Sequence, residues 1–261
     1  MTRGHSLSIS MSFHSEGQPN HFGAPVAAKR TFKTPGFLGS TRRGGSCYVE
    51  ELTVVPHCNG THTECVGHIV DDDFFMTSCD VKTLLPCYLM TLTPKRFEGL
   101  PEPESYPMSN IQDDLVLSRA DLKNALSDAL IPNFQALVIR TAPNHPEKKV
   151  KVYTDKEKVP YFTNEAMQMI DRLGINHLLV DLPSIDRGND DGRLSNHRIY
   201  WRQPADFHSI MKETMTNRTI TEMIYVDDFI DDGLYLLNIQ FPAIETDAVP
   251  SRPIIYPTEQ L

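Results

Sequence analysis

The chain predicts an α/β fold, a single domain built on a mixed β-sheet with flanking helices. Three observations carry that expectation. Helix and strand patterns alternate through the middle of the chain in the order helix, strand, loop, helix, strand, which marks α/β layering. The last third holds three strand patterns, two of them joined by the turn Asp231-Asp-Gly233. A chain of 261 residues, 40% of them hydrophobic, can bury one large core without disulfides.

The elements follow in order. Residues 1–45 are rich in Gly, Pro, Ser and Phe, and read as an irregular segment with one early strand over Ser6–Met11. This segment is expected to pack on the main domain, residues 46–261. Gly36–Ser46 has loop chemistry throughout, with Arg42 and Arg43 as solvated loop arginines. Cys47–His57 turns strand-like before Pro56, and Leu84–Thr93 is a second apolar strand. Glu98–Asn110 carries three prolines and reads as a surface loop. Ser118 then opens a helix, with Asp121 placed for a capping box and Leu122, Ala125, Leu126, Ala129 and Leu130 at helical spacing. Phe134–Thr141 is a buried strand and Pro143–Lys158 a charged loop. A second helix runs from Asn164 to Gly174, with Ala166, Met169, Ile170 and Leu173 on one face. His177–Leu182, Thr219–Val226, Leu234–Phe241 and Pro253–Tyr256 complete the strands. No internal repeat is visible.

Composition excludes several classes. With 34 acidic and 25 basic residues the net charge is −9, which argues against a nucleic-acid partner, since backbone binding needs clustered Lys and Arg. The five cysteines form no C-x-x-C pair and suggest a reducing compartment. Met1–Gly17 has no apolar core of a secretory leader, and the longest apolar runs fall far short of a membrane helix. The expected location is cytoplasmic, with no membrane partner. Gly44-Gly45 precedes a strand, where a dinucleotide fingerprint must follow one. No G-x-S-x-G string occurs, so serine hydrolase chemistry is not expected.

One segment stands apart: His57-Cys-Asn-Gly-Thr-His-Thr-Glu-Cys-Val-Gly-His68. Three histidines, one carboxylate and two thiols fall within twelve residues. In extended chain, residues two apart point to the same side, so His62 and Glu64 can meet one ion. His68 needs a turn to converge with them, and Gly60 and Gly67 supply the backbone freedom. Imidazole and carboxylate together suit Zn²⁺, Mn²⁺ or Fe²⁺ better than Mg²⁺ or Ca²⁺. A competing arrangement is a closed Cys2His2 zinc site of Cys58, His62, Cys65 and His68. Asp71, Asp72 and Asp73, like Asp227 and Asp228, read as solvated turns. Phe13, Phe22, Phe37, Phe74 and Trp201 are aromatics available to line a pocket, none of them assigned.

The string Asn59-Gly-Thr-His-Thr-Glu-Cys-Val-Gly-His68 resembles the signature H-x-G-T-H-x-D-x-P-x-H of the cyclase family, which includes bacterial kynurenine formamidases and isatin hydrolases. Leu178-Leu-Val-Asp-Leu-Pro-Ser-Ile-Asp-Arg187 resembles the family's strand and the loop towards its site. Thr221-Glu-Met-Ile-Tyr-Val226 and Asp232-Gly-Leu-Tyr-Leu-Leu237 resemble two later strands. The resemblance implies a swivelling β/β/α fold holding one or two divalent ions, Zn²⁺ first and Mn²⁺ second, in a homo-oligomer that hydrolyses a small-molecule amide. It implies His62, Glu64, His197 and Glu222 as metal ligands and His68 as the general acid/base. His208 competes for the role of His197.

The match departs from the family at several positions. The first motif histidine falls on Cys58, with His57 one place earlier, and either can supply that ligand. Glu64 stands in place of Asp and can bridge two ions, and Val66 stands where Pro is usual. Trp201–Arg218 reads as an insertion, which makes the chain a divergent branch. The expected function is hydrolysis of a C–N amide bond in an arylformamide such as N-formylkynurenine, or in a cyclic amide. The alternative is a non-catalytic binding protein stabilised by a closed zinc site.

Overall fold

In the computed structural model, which describes residues 4–13, 17–127, 134–154 and 158–258, nine strands form one mixed sheet. They are β1 (His5–Ser6), β2 (His62–Glu64), β3 (Leu85–Leu92), β4 (Ala136–Thr141), β5 (His177–Val180), β6 (Thr219–Glu222), β7 (Gly233–Asn238), β8 (Ala248–Pro250) and β9 (Ile254–Pro257). Their spatial order is β1-β9-β7-β3-β4-β5-β6-β2-β8. The four strands β3, β4, β5 and β6 run parallel, and the outer strands add to them antiparallel. This is the mixed α/β sheet that the sequence predicts.

The centre of the sheet is buried on both faces, so its strands read as unbroken apolar runs rather than as alternation. All six residues of β4 are buried. Leu137 and Ile139 join a cluster with Leu122, Met167, Ile170 and Trp201, whereas Ala136 and Val138 join Leu89, Leu179 and Leu237 on the opposite face. The first cluster is where the helices α2 (Arg119–Ser127), α3 (Asn164–Arg172) and α4 (Ser195–Trp201) pack, whereas the single turn α1 (Pro56–Asn59) lies against β8.

Local signals place α2 and α3 correctly. The Asp121 N–H donates to Ser118 Oγ at 3.2 Å while the Ser118 N–H donates to Asp121 Oδ2 at 3.3 Å, a reciprocal cap. Leu122 and Leu126 are buried beneath it, while Ala129 and Leu130 lie outside the described residues. The Ala166 N–H donates to Thr163 Oγ1 at 3.2 Å to cap α3, and Gly174, with φ +71°, ends that stretch.

Elsewhere the structure departs from expectation. The early strand is only His5–Ser6, followed by a single bridge from Ser8 to Ile224. Cys47–His57 is a strand only over Glu50–Thr53, because Pro56 opens α1, where its missing N–H costs nothing. The chain around His197 is helix α4, too short at seven residues to show a period. Its N-terminus is held from the preceding loop, where Asp190 accepts the Leu194 N–H and Asp186 accepts those of Asn196 and His197. The stretch after Trp201 returns to the core through Trp201 Nε1, which donates to the Arg218 carbonyl at 2.9 Å. Strand β8 was not foreseen. Among the described residues no helix is long and apolar enough to cross a membrane.

Candidate metal centre

The site is built at the edge of the sheet where β2 lies between β6 and β8. The alternation of β2 puts His62 and Glu64 on one face, while Thr63 on the other bonds Thr221 Oγ1 at 2.8 Å. Glu222 of β6 stands directly opposite His62 in the register. Met223, next in line, has φ +55°, so the chain leaves the strand immediately after that glutamate.

Two glycines bring in the remaining histidines. Gly60 has φ +150°, a conformation open to glycine almost alone, and links α1 to β2 so that His57 swings over the strand. Gly67 lies in the short helical turn Val66–Ile69 that carries His68. It meets a steric need rather than a conformational one, since a Cβ there would overlap the Phe74 carbonyl oxygen. From the far side, α4 delivers His197.

The resulting contacts form one network. Glu64 Oε1 lies 2.9 Å from His197 Nε2, and Glu64 Oε2 lies 2.9 Å from His57 Nδ1. The latter is an ion-pair distance without hydrogen-bond alignment, so Oε2 is left with no hydrogen-bond partner. His62 Nδ1 donates to the Gly60 carbonyl at 3.0 Å, which fixes the ring tautomer and leaves Nε2 with a lone pair. That Nε2 is buried, 3.6 Å from Glu222 Oε2, and has no hydrogen-bond partner. Glu222 Oε1 accepts the Ile185 N–H at 2.8 Å. His197 Nδ1 is 2.6 Å from Asp186 Oδ2. Asp247 Oδ2 lies 2.8 Å from His57 Nε2 and 3.3 Å from His68 Nδ1. Two sets of donor atoms converge within 4.8 Å of one another, His57–Glu64–His68 and His62–Glu64–Glu222, sharing Glu64.

Electrostatics agree with the donor chemistry. Burial alone would raise the Glu64 pKa, yet His68, His197 and His57 hold its carboxyl well below the usual range. Burial disfavours a charged His57, but Asp247 and Glu64 raise its pKa to about 10. His197 is raised well above the ordinary value by Glu64 and Asp186, again against burial. The carboxylates thus demand positive charge, which protons on the imidazoles meet when nothing else does. A divalent cation meets the same demand while using the nitrogen lone pairs, and the unpartnered His62 Nε2 and Glu64 Oε2 are such donors. The residues present fit such an ion.

Of the residues read from sequence, the structure brings together His57, His62, Glu64, His68, His197 and Glu222. Cys58 is buried, its thiol pKa pushed up by burial and by Glu222, and it belongs to neither donor set. The closed Cys2His2 arrangement does not form among the described residues. Cys65 points away, 3.8 Å from the Phe74 carbonyl, and packs with Met76, Val249 and Cys79. His208 is exposed and belongs to neither donor set, its carbonyl accepting the Asp71 N–H at 2.6 Å. Asp71, Asp72 and Asp73 are exposed, as expected. Trp201 is a core residue, its ring 5.5 Å from that of His197. Two participants were missed, Asp186 and Asp247. No local pattern marks either one: Asp186 lies in the loop after β5, and Asp247 stands just before the three-residue β8.

A nine-stranded mixed sheet with a carboxylate and imidazole cluster at one edge defines the class. The Cyclase family model matches residues 5–187, and this chain belongs to that family. No curated protein sequence matches the chain. Several solved structures share its fold. A potential metal-dependent hydrolase with cyclase activity aligns over 98% of both chains at 12% identity, with a TM-score of 0.63. A predicted metal-dependent hydrolase from Bacillus stearothermophilus does so over 98% of both at 13% identity and a TM-score of 0.62. Isatin hydrolase A from Labrenzia aggregata, bound to benzyl benzoate, aligns over 97% of this chain and 93% of its own at 13% identity, with a TM-score of 0.64. His197, Glu222 and Asp247 lie beyond the residues that the family model matches.

Proposed function

We propose that this chain is a metal-dependent hydrolase that cleaves the C–N bond of an amide, either an arylformamide such as N-formylkynurenine or a cyclic amide such as isatin. The observation that carries the reading is the convergence of His57, His62, His68, Glu64 and Glu222 at the sheet edge, where two donor atoms, His62 Nε2 and Glu64 Oε2, are buried without a hydrogen-bond partner. Membership of the Cyclase family and the fold shared with isatin hydrolase A support it. His57, His62, Glu64, His197 and Glu222 hold the metal, with His57 taking the position for which Cys58 competed. The set His62–Glu64–Glu222 supports one ion, and Glu64 with its oxygens 2.9 Å from His57 Nδ1 and His197 Nε2 offers donors for a second. Zn²⁺ is the first choice and Mn²⁺ the second, on the strength of mixed nitrogen and oxygen donors.

When bound, such an ion polarises a carbonyl and activates a water. The protein's own part falls to His68, at the more open side of the cluster with 27% of its side chain exposed. It accepts a proton from the attacking water and returns one to the departing nitrogen, a role worth about 10²–10⁴ in rate. Glu64, Glu222 and His197, almost wholly buried, hold the charge in place and exclude bulk water. The same reading carries a cytoplasmic homo-oligomer, checked by sedimentation of the native protein.

The test is hydrolysis of N-formylkynurenine and of isatin by the purified protein as isolated, after chelation, and after adding back Zn²⁺ or Mn²⁺. Activity that disappears on chelation and returns with one ion is expected. No turnover of either amide with metal bound would remove these substrates from consideration. His68→Ala should lower kcat by about 10²–10⁴ with metal content retained. Loss of metal in that variant would instead make His68 a ligand.

A further inference from the structure

The cluster contains a carboxylate whose purpose the ligand set does not explain. Asp247 precedes β8, the edge strand, and its main chain is tied down on both sides. Its carbonyl accepts the Cys65 N–H at 3.0 Å, the Thr246 carbonyl accepts the Met76 N–H at 2.9 Å, and Ala248 pairs in register with Glu64. The turn that carries His68 lies against it, since a Cβ on Gly67 would stand 3.4 Å from Asp247 Cβ. From that position one oxygen, Oδ2, reaches two rings: His57 Nε2 at 2.8 Å and His68 Nδ1 at 3.3 Å. The two rings sit 4.2 Å apart between centroids, tilted by 32°, so one atom can serve both. A carboxylate oxygen has lone pairs for two donors.

We propose that Asp247 is a positioning residue for both histidines at once. A neutral imidazole carries its proton on the nitrogen that has the acceptor, and presents a lone pair from the other. By accepting from His57 Nε2, Asp247 leaves the lone pair on Nδ1, the nitrogen 2.9 Å from Glu64 Oε2. By accepting from His68 Nδ1, it leaves the lone pair of that ring on Nε2. One side chain thereby sets the ligand nitrogen of one residue and the basic nitrogen of the other. Carboxylate support of this kind for a metal-binding histidine changes affinity by about 10- to 100-fold. The second half, which concerns proton transfer by His68, rests on the hydrolase reading above.

The experiment compares wild type, Asp247→Ala and Asp247→Asn, each loaded with Zn²⁺ and checked for native far- and near-UV circular dichroism. Long-range proton–nitrogen spectra of ¹⁵N-histidine-labelled protein report each ring's tautomer directly, and chelator competition reports Zn²⁺ affinity. Wild type should show His57 protonated on Nε2 and His68 on Nδ1. In Asp247→Ala, His68 should lose that single form and Zn²⁺ should bind about 10- to 100-fold more weakly. Asp247→Asn, which keeps the shape and one acceptor oxygen, should fall between, and it stands in if the alanine variant does not fold. Unchanged tautomers and unchanged affinity in a folded variant would overturn the proposal. If wild type hydrolyses no amide, the ring and Zn²⁺ readouts still decide the role of Asp247, and only the hydrolase reading falls. With activity present, the variants should lower kcat and leave KM nearly constant.

Discussion

Two carboxylate–imidazole supports flank the candidate centre, and they differ in almost everything but chemistry. Asp186 is 3% exposed, lies 2.6 Å from His197 Nδ1, and also accepts from the Tyr106 hydroxyl at 2.8 Å and from two main-chain N–H groups of α4. Asp247 has 38% of its side chain exposed and serves two half-buried rings. The first support is part of the folded core, because it caps a helix as well as holding a ring. The second sits on the more exposed side of the cluster. A buried ion pair left with one partner is costly, whereas an exposed one is worth little to stability. The comparison therefore separates a residue on which the fold depends heavily from one on which it depends little.

The largest expected effect comes from the buried side. Asp186→Ala leaves His197 Nδ1, the Tyr106 hydroxyl and two N–H groups of α4 without their buried acceptor and should destabilise the protein by about 3–5 kcal/mol in urea unfolding. A loss below about 1 kcal/mol would show that His197 finds another acceptor, and the contrast between the supports would collapse.

A buried histidine with no carboxylate supplies the next test. His177 on β5 is 3% exposed, with Nδ1 2.8 Å from Thr219 Oγ1, and burial lowers its pKa from 6.5 to about 4. His57, beside two carboxylates, moves the other way. Between pH 6.5 and 4 the unfolded chain binds a proton at His177 that the folded chain does not. Its contribution is therefore intact above pH 6.5 and is lost as the pH falls towards 4, by about 2–3 kcal/mol at pH 4.5. Urea unfolding of wild type and His177→Asn at pH 7 and pH 4.5 isolates that contribution from the titration of carboxylates. Equal pH slopes in the two proteins would mean that the ring is solvated or already charged.

The smallest effect on stability belongs to Asp247. Asp247→Ala should cost no more than about 1 kcal/mol in the same assay, despite its expected effect on Zn²⁺ affinity. A loss approaching that of Asp186→Ala would place both supports in the same structural role.

Much of the fold was legible, for reasons that are local. Ser118 and Asp121 face each other within one turn, so the start of α2 can be read from four residues. The apolar run at β4 can be buried only inside a layered sheet. His62 and Glu64 share a face because the side-chain period of a strand is two. By contrast, α4 was hidden because it is one short helix held by Asp186 and Asp190 rather than by its own cap. Strand β8 was hidden because three residues carry too little pattern to show.

The chain itself determined which chemistry is on offer: imidazoles and a carboxylate packed into twelve residues, with further His and Glu downstream. It also determined the layering that carries them, since periodicity follows from the spacing of apolar residues. Only the tertiary structure separates His57 from Cys58. They are adjacent on α1, where each residue turns the side chain by about 100°, so packing of that turn on the sheet edge puts His57 in a donor set and leaves the Cys58 thiol buried outside both sets. The same holds for Asp186 and Asp247, which lie 122 and 183 positions from Glu64 along the chain. Nothing in their neighbours' sequence marks them, because their role comes from strand pairing and loop closure that bring distant segments to one point.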